Sequence, residues 1–197
     1  MVSRREFLRG GSLAGLTSLM PAANAAARAR AMPANRPYEA VCDTRYPEGD
    51  AFLAAIAGQA YRSHGVGNDP GVVLGILPEA LTAGRAVVGL TTHTALVIAQ
   101  QVAGPQGYAL AYRGEHTHLG DEQLRHRLLG NAAWLADLAT LLKTSADSWP
   151  SALGNAIPRL TMDQECADRH ELSCRAARPQ GSPGQLVSWI LVPAPRS

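Results

Sequence analysis

Apolar positions follow two rhythms along this chain. Short runs of small and β-branched residues, above all Ala86-Val87-Val88-Gly89-Leu90, have the composition of a strand buried on both faces. Longer stretches place apolar side chains at helical spacing. The two meet most sharply around the central run. There the polar turn Thr91-Thr92-His93-Thr94 leads into an apolar segment that ends at Gly104, with Pro105 forbidding continuation. Thr91 or Thr92 is expected to cap this helix, since a threonine hydroxyl can accept one of its orphan N–H groups.

Other segments repeat the theme. Residues 38–42 read as a first strand that ends in Asp43-Thr44-Arg45-Tyr46. Pro47 fits the first helical position, with Glu48 and Asp50 at the positive helix end. A weaker strand over 59–64 precedes a helix capped by Asp69 and opened by Pro70, which Pro78 is expected to kink. A strand over 108–112 ends in Arg113-Gly114-Glu115-His116-Thr117-His118. The longest helix is predicted over 122–143, capped by Asp121, with Leu124, Leu128, Trp134, Leu135, Leu138, Leu141 and Leu142 as its apolar stripe. Residues 151–185 show no periodicity, and 186–192 form a last strand. Strand and helix alternate four times. The expected class is therefore α/β: a three-layer, mostly parallel, flavodoxin- or Rossmann-like sheet of about five strands with helices on both faces.

With 197 residues, 46% hydrophobic and 17% charged, the chain can bury one core, but its beginning does not belong to it. Ser3-Arg4-Arg5-Glu6-Phe7-Leu8-Arg9 is followed by a weakly apolar, glycine-containing run over 10–20, then Pro21 and the small-residue site Ala23-Asn24-Ala25. This segment resembles the twin-arginine export signal. The resemblance implies the twin-arginine translocase as partner during export, a periplasmic destination, and a passenger that crosses already folded. Such passengers often carry a cofactor or travel with a co-exported enzyme. The division expected is a signal over 1–25, a flexible leader over 26–37, and one α/β domain over 38–197. Cleavage after Ala25 leaves 172 residues and removes Arg4, Arg5, Arg9 and Glu6, taking the formal charge from +2 to 0. A neutral domain gives no support for nucleic acid or an anionic membrane as partner. The apolar run of the signal is too short for a stable membrane anchor.

In an oxidising compartment Cys166 and Cys174, flanking a short polar segment, are the natural disulfide pair, with Cys42 a buried thiol in the first strand. Candidate chemistry gathers where a parallel sheet would put the strand ends. Asp43 and Arg45 follow the first strand; Thr91, Thr92 and His93 follow the third; Arg113 and Glu115 follow the fourth. If the first and third strands are neighbours, Arg45 and the helix N-terminus after Thr92 would hold a carboxylate or phosphate. His116-x-His118 places two imidazoles on one face of an extended segment, a spacing metal sites use, with His93 or Asp43 as a third ligand. His126 and His170 read as surface residues. No G-x-S-x-G elbow, dinucleotide fingerprint, P-loop or C-x-x-C is present. The reading that follows is an exported periplasmic protein that binds a small anionic ligand or serves an exported enzyme as accessory subunit. The alternative is a small hydrolase or metal-dependent enzyme using His93 with Asp43, or His116 with His118.

Overall fold

A computed structural model describes residues 37–160 and 168–194; the Ser3–Arg9 motif, the segments expected as signal and leader up to residue 36, and Cys166 lie outside the described residues. The chain runs β1 (Tyr38–Cys42), α1 (Pro47–Ile56), β2 (Arg62–Gly65), α2 (Val73–Thr82), β3 (Ala86–Thr91), α3 (His93–Ala103), β4 (Tyr108–His118), β5 (Gln123–Gly130), α4 (Ala132–Thr144), α5 (Trp149–Ala156), β6 (Asp168–Arg175) and β7 (Gln185–Pro193). These strands form one seven-stranded sheet in the order β2-β1-β3-β7-β4-β5-β6.

The expected five-stranded, mostly parallel sheet is not what the chain builds. Only β1 pairs in parallel, with β2 and β3. The remaining pairings, β3 with β7, β7 with β4, β4 with β5 and β5 with β6, are antiparallel. In the first half the condition set for a crevice is met: β1 and β3 are parallel neighbours, and the crossovers carry α1 to one face and α2 to the other. The departure comes at β7, which enters between β3 and β4 and reverses the direction of pairing.

β7 is buried along Leu186–Val192, because it is a central strand with helices on both faces. Its alternate residues feed two cores. Leu186, Ile190 and Val192 face α1, α4 and α5 together with Ala40, Phe52, Val88, Tyr112, Trp134, Leu138, Trp149 and Leu153. Val187, Trp189 and Leu191 face α2 and α3 together with Val41, Leu77, Val87, Leu96 and Ala99. The tightest fit is between neighbouring strands. A Cβ on Gly89 of β3 would lie 2.3 Å from the Trp189 ring, and Trp189 Nε1 donates to Thr91 Oγ1 at 3.0 Å. Gly89 leaves the room that the indole fills.

The second large correction concerns residues 122–143. Their first part is β5, with Leu124, His126 and Leu128 buried and Gln123, Arg125, Arg127 and Leu129 on the other face. Leucines four apart satisfy both the helical and the strand period, so Leu124 and Leu128 did not discriminate. The helix starts only at Ala132, capped by Asn131, whose Oδ1 accepts from the Ala133 N–H at 2.8 Å. β4 likewise continues past Tyr112 to His118, and the stretch 151–185 holds most of α5 and all of β6. Asp69 does cap, through the Gly71 N–H, but the element is a short 3-10 turn that leads into α2, and α2 continues through Pro78. Thr92 stands at the N-cap of α3 without a side-chain cap bond, and Thr91 Oγ1 is engaged elsewhere.

The helices do not cover the sheet evenly. α2 and α3 lie over its β1–β3–β7 half, while the same face of β4, β5 and β6 carries partly exposed charged side chains and, among the described residues, no helix. No helix among the described residues is long and apolar enough to cross a membrane.

Candidate functional site

The crevice between the ends of β1 and β3 has the expected framework. Asp43 follows β1, its N–H bonding Leu90 O at 2.9 Å, and α3 begins at His93 beyond β3. The side chains there are largely committed to one another. Asp43 is buried, with both carboxylate oxygens taken by Arg45, Nε to Oδ1 at 2.8 Å and Nη2 to Oδ2 at 2.6 Å. Thr91 is buried under Trp189 and its hydroxyl donates to Thr92 O. Thr92 is half-buried and His93 exposed. Arg45 is thus largely neutralised as an anion receptor, and Asp43 is held as its partner.

His116 and His118 do share one face of β4, as the spacing predicts, but that face looks into the core. His116 is buried, stacked on Trp149 with ring centroids 4.2 Å apart. Its Nε2 lies 2.7 Å from Ser188 Oγ and its Nδ1 2.6 Å from Nδ1 of His126, while Ser188 Oγ also contacts Tyr112 OH at 3.0 Å. On the far side His126 Nε2 stands 3.9 Å from Cys174 Sγ. His126, expected at the surface, is fully buried, because it belongs to the inward-facing set of β5. Burial holds His116 well below the usual histidine range, helped by the neighbouring His126, and pushes His126 down to about 4. Both rings are therefore neutral at pH 7, one Nδ1 donating to the other.

The order serine, imidazole, second imidazole follows the connectivity of a nucleophile, its base and an orienting group. All three lie in the core, where no substrate carbonyl reaches Ser188 Oγ. The chain of contacts ties β7, β4 and β5 together through satisfied polar groups. Gly114 leaves its space: a Cβ there would meet Tyr112 OH at 2.3 Å and Ser188 Oγ at 2.6 Å.

His118 instead faces Glu48 on α1, Nε2 to Oε1 3.9 Å apart with both side chains buried, too far for a hydrogen bond. Burial lowers the His118 pKa more than Glu48 raises it, so the contact is not that of an ion pair at neutral pH. Among the described residues no group of three histidine, cysteine, aspartate or glutamate side chains is placed to hold a metal ion. Cys42 is a buried thiol, pushed up to about 12 by burial, as its place in β1 dictates. Cys174 is half-buried, with no disulfide partner among the described residues and a pKa also raised by burial; its expected partner Cys166 lies outside them.

The uncovered face of β4, β5 and β6 is different in kind. Register places Arg113, Leu129 and Arg169 in one cross-strand row, Glu115, Arg127 and Glu171 in the next, and Thr117, Arg125 and Ser173 in a third. Arg113, Glu115, Arg127, Leu129, Arg169 and Glu171 line a groove of about 350 Å³. Arg113 Nη2 bonds Glu115, and Arg127 Nε bonds Glu171 Oε2 at 2.9 Å. Even so, guanidiniums outnumber carboxylates, four to two when Arg125 is included. The Nε atoms of Arg113 and Arg125 are buried with no hydrogen-bond partner among the described residues. An unpaired guanidinium N–H shielded from water costs free energy that an incoming anion recovers. Arg113 and Glu115 are the two predicted residues that the fold brings into this groove. Arg125, Arg127, Arg169 and Glu171 are absent from the sequence-based candidates because β5 fits a helical period and β6 lies in a stretch without periodicity. The alternation Gln123, Arg125, Arg127 against Leu124, His126, Leu128 was the available signal. No family model, curated protein or solved structure matches this chain.

Proposed function

We propose that this is an exported periplasmic protein that binds a small anionic ligand on the open face of β4, β5 and β6. The observation that carries the reading is the arginine-rich groove, in which Arg113 Nε is buried with no hydrogen-bond partner among the described residues. Its size suits a small molecule. Arg113, Arg127 and Arg169 stand on three adjacent strands and can offer donors to one ligand from several sides, the arrangement that favours a phosphate or a compact di- or tricarboxylate. Glu115 and Glu171 hold Arg113 and Arg127 in place and admit ligands that also carry a hydroxyl or amine. Support for the export half comes from the Ser3–Arg9 motif and the Ala23-Asn24-Ala25 site.

Isothermal titration with inorganic phosphate and with citrate tests the binding half. At least one of these should bind the purified chain, and Arg127→Ala should weaken it by roughly 1.5–3 kcal/mol, the range for a hydrogen bond to a charged group. The melting temperature should stay nearly constant, since the Arg127–Glu171 pair is exposed and contributes little to folding. Absence of binding by either anion, or equal binding by the variant, would remove the groove as the site.

Export has its own test. Replacing Arg4 and Arg5 together by lysine should hold the precursor in the cytoplasm, because the paired guanidiniums are the feature recognised. Undiminished appearance of that double variant in the periplasm would end the export assignment.

A further inference from the structure

We infer that the outer edge of β6 pairs with the same edge of a second copy of this chain, joining two sheets into one across a two-fold axis at Ser173. β6 closes one end of the sheet, and nothing among the described residues pairs with its outer side. The direction of its backbone groups follows from the ladder. Ala176 N–H bonds Glu122 O at 3.0 Å, so Ala176, Cys174, Leu172 and His170 turn their N–H and C=O groups toward β5. Glu171, Ser173 and Arg175 then present theirs outward.

A two-fold axis normal to a sheet must pass through a residue of the edge strand, because opposed side chains share a face. Charge selects among the choices. An axis at Glu171 opposes that carboxylate to its own copy, and one at Leu172 opposes Arg169 to Arg175. An axis at His170 opposes Arg169 to Glu171 but sets Asp168 against Leu172 and the two His170 rings against each other. The axis at Ser173 alone is complementary throughout: Glu171 meets Arg175, Leu172 meets Cys174, and the two Ser173 hydroxyls face each other. It also makes Glu171/Arg175 and Ser173/Ser173 the pairs that exchange both backbone hydrogen bonds, which are the residues whose groups point outward.

Within one copy Glu171 already bonds Arg127, and Arg175 bonds Glu122 at 2.6 Å. Pairing at Ser173 turns these into a string of alternating charge, Arg127, Glu171, then Arg175 and Glu122 of the second copy. Natural edge strands commonly carry like charges that repel a second copy. This edge carries opposite charges spaced to attract one.

Sedimentation of the purified chain over a concentration series is the test. The native chain should form dimers. Ser173→Pro should abolish them without changing the circular dichroism or melting temperature, since the N–H it removes faces outward and edge positions of that kind tolerate proline. Glu171→Arg alone, striking two symmetric contacts at once, should weaken the dimer about tenfold, and adding Arg175→Glu should restore it. A native chain that remains monomeric at about 100 μM would overturn the inference, as would a dimer that survives Ser173→Pro or a double variant no better than the single. Ser173→Pro changes no residue that lines the groove, so its outcome is read independently of anion binding.

Discussion

Trp189→Ala should cost about 3–5 kcal/mol, the largest loss we expect from a single substitution. Trp189 is fully buried in the central strand β7, between β3 and β4 and under α2 and α3. Its removal takes away the largest apolar contact of that core and leaves Thr91 Oγ1 without the indole donor. The surrounding strands are held by ladders on both sides and cannot collapse far into the gap, which places the cost high in its range. Urea denaturation should show a lower midpoint with little change in slope. Gly89→Ala alone should also destabilise, by about 1–3 kcal/mol, because its methyl group meets the ring. The double variant should be more stable than the sum of the two losses, since the cavity left by the indole accommodates the new methyl. Strict additivity would mean that Gly89 and Trp189 are not packed as described.

Acidification should produce the second large effect. In the unfolded chain His126 titrates near 6.5, whereas in the fold burial holds it at about 4, with nearby His118 acting in the same direction. A depressed folded pKa means that the unfolded state takes up the proton first. The stability linked to His126 is complete above pH 6.5 and is lost progressively as the pH falls toward 4. The displacement corresponds to about 3 kcal/mol, and His116, shifted in the same direction by the same burial, adds to it. Unfolding free energies between pH 7 and 4 should therefore fall with an uptake of about two protons near pH 5, to which buried His118 adds in the same direction, and His126→Gln should reduce that uptake by about one. A native profile flat over this interval would show that the imidazole pair is accessible to water.

How much of this was legible beforehand varies by element, for physical reasons. β1, β3 and β7 announce themselves as apolar runs, and the strand-helix alternation up to α3 is visible in the sequence; the adjacency of β1 and β3 comes from the structure. β5 was not, because Leu124 and Leu128 lie four residues apart and fit either period, and the true cap, Asn131, lies well inside the helix that had been drawn. The groove suffered from the same error. Arg113 and Glu115 were identified from the polar end of β4, but Arg127, Arg169 and Glu171 join them only when β5 and β6 are strands in register.

Local features follow from the order of residues alone: which runs are buried, and where Asp43, Pro47 and Asp69 punctuate the chain. Strand direction and neighbourhood follow from the fold as a whole. A central strand is buried on both faces whether its neighbours run with it or against it, so the burial of 186–192 carried no information about orientation. His126 shows the same limit. Its exposure depends on which face of β5 meets α4 and α5, and that is set by pairing with residues 10 positions earlier and 46 later, not by its own neighbours in the chain.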